Sequence, residues 1–339
     1  MSSQASWNSL TGILTFLFEG SLSAIAVAIL FTFGVPVLLH IIFFRSVASP
    51  PSSNFLLLGP NGAGKTAFTT LVSFPFSPPK PISGKKIANT TQLEAKSSPA
   101  SKKSHSTHTS QTSTLVSVSL PPTVPTASNR FRSVNDPSLK EASKNPIRYR
   151  IKDTPGHGKL RVSQGISELQ KMSQSKDAKV KLRGVLFMVD TAALVDEATL
   201  RDTAEYLHDV LLVLQQRSLG KGKSSTKRDA EIPVLIAGNK QDLFTALPPG
   251  SVREKLEAEI DRIRKSKTKG LMDASADSGE GDEEDEVLGD DDAKGVFTFK
   301  LLEQVGIKVD VVGGAVKGDA EEEIGSGVRR WEEWIGMCL

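Results

Sequence analysis

The stretch that most constrains this chain is Gly59-Pro60-Asn61-Gly62-Ala63-Gly64-Lys65-Thr66, entered from the apolar run Phe55-Leu56-Leu57-Leu58. A strand that runs through a Gly-rich turn into a helix aims successive backbone N–H groups and a helix N-terminus at one point. It can therefore hold phosphate. Lys65 reaches toward the β- and γ-phosphates, and the Thr66 hydroxyl completes the shell of a Mg²⁺ ion bridging them. Gly64 lets the backbone pass close to phosphate, and Ala67 opens the helix that follows. A Gly-rich turn can also be structural, so the assignment depends on what comes after it.

Two later motifs supply that context. The alternating Ile147-Arg148-Tyr149-Arg150-Ile151-Lys152 reads as a strand with one buried face, and it delivers Asp153-Thr154-Pro155-Gly156-His157. A carboxylate there can join the Mg²⁺ shell, and the Gly156 N–H can sense the γ-phosphate. The continuous run Val185-Leu186-Phe187-Met188-Val189-Asp190 has the pattern of a central parallel strand. Another such run, Ile232-Pro233-Val234-Leu235-Ile236-Ala237-Gly238, leads into Asn239-Lys240-Gln241-Asp242. A fixed carboxylate at Asp242 accepts from guanine N1 and N2, which adenine cannot match, while Lys240 packs along the base and Asn239 braces the loop. Ala315, after the last strand, offers a backbone N–H to the guanine carbonyl. Strands alternating with helices predict an α/β fold, a doubly wound, mostly parallel sheet of P-loop small-GTPase type, with GTP and Mg²⁺ as cofactors.

The rest of the chain frames this domain. From Leu22 to Phe44 the sequence is apolar and uncharged, long enough as a helix to cross a ~30 Å hydrocarbon core. Residues 1–21 are then a short lumenal segment, 22–44 a transmembrane helix kinked at Pro36, 45–53 a linker and 54–339 a cytosolic domain. Arg45, the first basic residue, sets that orientation. Ser-, Pro- and Lys-rich composition predicts disordered insertions at about 78–110 and 121–146, and an acidic block predicts another at about 266–295. A net charge of +3 gives no nucleic-acid footprint, and the single Cys338 fits a reducing compartment. Trp331 and Trp334 are expected to pack one face of a terminal helix.

With an anchor upstream of three ordered motifs, the chain resembles the beta subunits of the signal recognition particle receptor. The residues that carry the likeness include the P-loop, Gln111-Thr112-Ser113, Asp153 through Arg161, Val189-Asp190-Thr191-Ala192-Ala193 and Asn239-Lys240-Gln241-Asp242. The closing Trp331-Glu332-Glu333-Trp334-Ile335 resembles fungal members. The resemblance implies a single-pass endoplasmic reticulum protein that, with GTP bound, holds the receptor's alpha subunit at the membrane, near ribosome and translocon. It makes Thr112 the switch threonine and a metal ligand with Thr66 and Asp153, although Thr109 and Thr114 lie close enough to compete. His157 stands where related proteins orient the attacking water, so it is the catalytic candidate; packing against the switch is its other role. The final loop reads Gly314-Ala315-Val316 where Ser-Ala-Lys is expected. An Arf- or Sar-like GTPase of vesicle traffic and a GTP-dependent membrane scaffold without turnover remain as alternatives.

Overall fold

The computed structural model describes residues 29–39, 53–73, 109–127, 146–175, 177, 179–219, 232–278, 288–289, 295–317 and 326–339. The chain divides into two compact units, Met1–Pro51 and Ser52–Leu339. In the first, residues 29–39 are helical, with a π-helical turn at Leu30–Gly34. That turn directly precedes Pro36, whose missing N–H breaks the regular helical ladder. Its apolar side chains, among them Ile29, Leu30, Phe33, Val37 and Leu38, are exposed. Among the described residues no helix is long and apolar enough to cross a membrane. The rest of the expected span, 22–28 and 40–44, lies outside them.

The second unit is built on a six-stranded sheet: β1 (Asn54–Leu58), β2 (Thr114–Ser119), β3 (Arg148–Asp153), β4 (Leu182–Asp190), β5 (Val234–Asn239) and β6 (Val309–Gly313), in spatial order β2-β3-β1-β4-β5-β6. All neighbours are parallel except β2, which runs antiparallel to β3 at the edge. Among the described residues the α-helices longer than one turn are α1 (Lys65–Ser73), α2 (Ser167–Gln174), α3 (Glu197–Leu219), α4 (Pro249–Ser278), α5 (Leu301–Gln304) and α6 (Arg329–Cys338).

Side-chain alternation divides the core between the two faces of the sheet. Leu56 and Leu58 of β1 join Val185, Phe187 and Val189 of β4 against Leu207 and Leu211 of α3 and Leu256 and Ile260 of α4. Phe55 and Leu57 join Leu186 and Met188 against Phe68 of α1 and Trp331 and Ile335 of α6. A strand buried on both sides must be apolar at every position, which is why β1 and β4 read as unbroken apolar runs. The doubly wound, mostly parallel architecture is as expected.

Parts of the expected insertions lie within the described residues. Residues 121–127 are ordered against α6: Val124 and Thr126 are buried, and the Ala127 N–H donates to the Gly336 carbonyl at 3.3 Å. Helix α4 runs on to Ser278, well past 266 where a loop was expected. Lys, Ala, Leu and Met, all present in 266–278, favour a helix as readily as a loop, and the charge pattern alone does not tell the two apart. Leu288, within the expected acidic loop, is fully buried. Of these expected insertions, 78–108, 128–145, 279–287 and 290–294 lie outside the described residues.

Candidate nucleotide site

The ends of β1, β3 and β5 bring the three motifs to one edge of the sheet, where an open parallel sheet places its ligands. Gly59, Gly62 and Gly64 all have positive φ (138°, 77° and 96°). A side chain on Gly59 would collide with the Met188 carbonyl, and one on Gly64 would collide with the Asn239 amide. Glycine is therefore required here twice over, by conformation and by space. Asn61 is exposed, whereas Ala63 is buried and joins the α6 side of the core.

Lys65 is buried and donates from Nζ to the Gly59 and Pro60 carbonyls, each at 2.8 Å. Burial lowers its pKa to about 8, with Asp153 pulling it up and Arg161 pushing it down. The Thr66 hydroxyl donates to Asp153 Oδ2 at 2.8 Å. Burial raises the Asp153 carboxyl above the usual carboxylate range, against the Thr66 hydroxyl and the Lys65 charge. Its Oδ1 is buried and accepts no well-formed hydrogen bond among the described residues. A desolvated carboxylate oxygen beside a threonine hydroxyl is a donor set suited to a hard divalent cation.

Thr112 is exposed, and the hydroxyl that meets Thr66 belongs to Ser110, at 2.8 Å. The reason is register: β2 begins at Thr114, paired with Asp153, and the turn before it swings Thr112 outward and Ser110 inward. Ala67, at the first turn of α1, is half-buried and packs against the core.

Gly156 lies against the P-loop so closely that a Cβ there would stand 2.6 Å from Pro60 C and 2.7 Å from Asn61 N. Arg161 Nε donates to the Gly156 carbonyl at 3.0 Å, and the guanidinium forms a bidentate pair with Asp202 of α3 at 2.8 and 2.7 Å. His157 is exposed; its Nδ1 accepts from the Lys159 N–H at 3.4 Å and caps the turn Gly158–Leu160.

On the base side, Asn239 is buried and braced at both ends of its amide. Nδ2 donates to the Ala63 carbonyl at 2.8 Å, and Oδ1 accepts from the Val316 N–H at 3.0 Å. One side chain thus joins the P-loop to the last loop. Lys240 has a φ of 64°, a left-handed conformation uncommon outside glycine, and its ammonium pairs with Asp190 Oδ2. Asp242 is exposed. Ala315 is nearly buried, and a Cβ on Gly327 would stand 2.7 Å from its N and O, so the lead-in to α6 packs directly on this backbone. Trp331 donates to the Val312 carbonyl at 3.0 Å and meets Phe68 edge-on at 5.7 Å. Sequence reasoning gave no site role to Ser110, Arg161, Gln164, Asp190 or Asp202; of these, Arg161 and Asp190 stand inside motifs that carry the family likeness, and the other three carried no signal.

Fold and site together define a P-loop GTPase domain of the Ras and Arf type. A family model described as "Signal recognition particle receptor beta subunit" matches residues 51–305, and the chain belongs to that family. It is 32% identical over 188 residues to a Saccharomyces cerevisiae protein named "Signal recognition particle receptor subunit beta", covering 55% of this chain and 65% of that one. A Homo sapiens protein of the same name is 31% identical over 126 residues, 37% of this chain and 38% of that one. The matched stretches span less than two thirds of these relatives' own lengths. Among solved structures, "Signal recognition particle receptor SRb-GTP/SRX complex from Chaetomium thermophilum" is 34% identical with a TM-score of 0.53, over 84% of this chain and 96% of that one. The SRb-GDP structure from the same organism is 30% identical with a TM-score of 0.50, over 84% and 98%.

Proposed function

We propose that this chain binds GTP with Mg²⁺ and in that state holds the alpha subunit of the signal recognition particle receptor at the endoplasmic reticulum membrane. The observation that carries the reading is the meeting of Lys65, Thr66 and Asp153 with Asn239, Lys240 and Asp242 on one sheet edge. Lys65 and the P-loop amides bind the phosphates, Asn239 fixes the two base loops to each other, and Asp242 selects guanine. Thr66 and Asp153, with Ser110 beside them, would hold Mg²⁺, which would neutralise charge between the phosphates. The uncharged run 22–44 is the proposed single-pass anchor, leaving the nucleotide domain in the cytosol near ribosome and translocon. Support for the partner comes from the similar structure titled as a GTP and SRX complex.

Turnover is proposed to be slow in the isolated chain. His157 is exposed and capped onto Lys159, so orienting a water would require moving it. Single-turnover cleavage that is fast without a partner contradicts this, and His157→Ala reports on the residue. The reading as a whole is tested by loading detergent-solubilised chain with GTP or GDP and capturing partners. Retention of a large soluble GTPase only with GTP is expected, and equal retention with GDP contradicts it. Resistance to alkaline carbonate extraction distinguishes a spanning anchor from the reversible membrane binding of an Arf-like protein.

A further inference from the structure

Two segments approach the phosphate residues from different sides. Ser110 bonds Thr66, and Gly156 presses on the P-loop beside Lys65. They are distant in sequence, yet one helical segment holds both. Gln164 donates from Nε2 to the Gln111 carbonyl at 3.0 Å and accepts at Oε1 from the Ser113 N–H at 2.9 Å, so it brackets the first segment. Three residues earlier, Arg161 bonds the Gly156 carbonyl and is itself fixed by Asp202 and by the Tyr206 ring, 5.0 Å from its guanidinium carbon. Among the described residues, Gln164 makes the only side-chain hydrogen bonds from 158–174 to 110–113.

Arg161 and Gln164 both lie in the π-helical stretch Arg161–Ile166. A π-turn is wider than an α-turn and fans neighbouring side chains further apart, so one short stretch reaches both segments. Such turns are rare and are concentrated at functional sites. Neither side chain is needed for the core: Gln164 and Arg161 are only half-buried, and the apolar packing of this region comes from Leu169 and Met172.

We propose that Gln164 is a positioning residue that couples the two phosphate-facing segments, so that they respond together to the third phosphate. The proposal rests on the reading of the site as one for GTP. Moving Gly156 moves Arg161, and the π-turn carries that movement through Gln164 to Gln111 and Ser113. GDP contacts the P-loop and the base loops, which Gln164 does not touch. Loss of the bracket therefore weakens the triphosphate selectively.

The test uses the full chain in detergent, with affinities measured for GDP and for a non-hydrolysable GTP analogue. Gln164→Leu removes both hydrogen bonds at similar size. It is expected to weaken the analogue about tenfold, as two net hydrogen bonds would. GDP affinity stays within about twofold, and the melting temperature of the nucleotide-free chain falls by no more than about 5 °C. Arg161→Ala combined with Gln164→Leu loses no more than the worse single change, because both act through one turn. Equal weakening of GDP, or additive losses, overturns the proposal.

A second arm needs no nucleotide. Arg161→Ala leaves the Ser113 N–H partner in place, yet coupling predicts faster hydrogen exchange at Ser113. Unchanged exchange there overturns the proposal. If wild-type chain binds no guanine nucleotide, the reading of the site fails, while this arm still decides the coupling.

Discussion

The base side and the sensing side of the site are held in opposite ways. Asn239 spans from Ala63 to Val316 in a buried setting, and Trp331 supports the loop at Gly314 from beneath, so close that a side chain there would strike its ring. The sensing side hangs on Gln164 and on the Arg161–Asp202 pair, whose carboxylate is 55% exposed. Buried bonds in low dielectric are strong and costly to lose, whereas an exposed ion pair contributes little net stability. A binder that must recognise guanine in every state, but a third phosphate in only one, needs one rigid wall and one that can be released.

Breaking the rigid wall should produce the largest effects, and those effects should not depend on the number of phosphates. Trp331→Ala empties a fully buried site between Phe68 and the Gly314 loop. It is expected to cost about 3–5 kcal/mol in chemical denaturation and to weaken GDP and GTP alike. Asn239→Ala orphans the Ala63 carbonyl and the Val316 N–H, and should cost about 2–3 kcal/mol with the same indifference to phosphate number. A GTP-selective loss in either variant would erase the distinction between the two walls.

The releasable wall predicts the reverse. Asp202→Asn weakens the clamp on Arg161, and stability should change by less than about 1 kcal/mol. The GTP to GDP affinity ratio should nonetheless fall about threefold. A stability loss as large as that of Asn239→Ala would show that this side is also structural.

At neutral pH the smallest effect is that of the Cys338 thiol on the supporting helix, which shows only as a slope at high pH. Burial pushes the Cys338 thiol from its ordinary 9 up to about 12. The folded chain keeps a proton that the unfolded chain loses, so this contribution is present below about 9 and fades as pH rises toward 12. Urea unfolding at pH 8 and pH 11, compared between wild type and Cys338→Ala, should show a steeper decline in wild type. Parallel slopes would mean that the helix end is open to solvent.

This contrast also explains what was legible in the sequence. Lys65, Thr66, Asp153, Asn239 and the glycines are tied to backbone geometry and phosphate chemistry, so their spacing announces them. The strands β1, β4 and β5 are buried on both faces and read as apolar runs. Ser110 was hidden because only the pairing of β2 with β3 across a long insertion decides which hydroxyl reaches Thr66. Gln164 was hidden because a π-turn leaves no clear periodic signature and its partners lie 51 and 53 residues away; Arg161 ends a legible motif, but its pairing with Asp202, 41 residues on, leaves no mark in the sequence. Residues 121–127 look like loop by composition, and only the docking of α6 orders them.

The central claim is that this edge of the sheet is built for guanine. Titrating the full detergent-solubilised chain with GTP and with ATP, each with Mg²⁺, tests it most directly. The account predicts tight binding of GTP that Asp242→Ala abolishes, and no measurable binding of ATP at the same concentrations. Equal affinity for the two nucleotides, or GTP binding that survives Asp242→Ala, would contradict it.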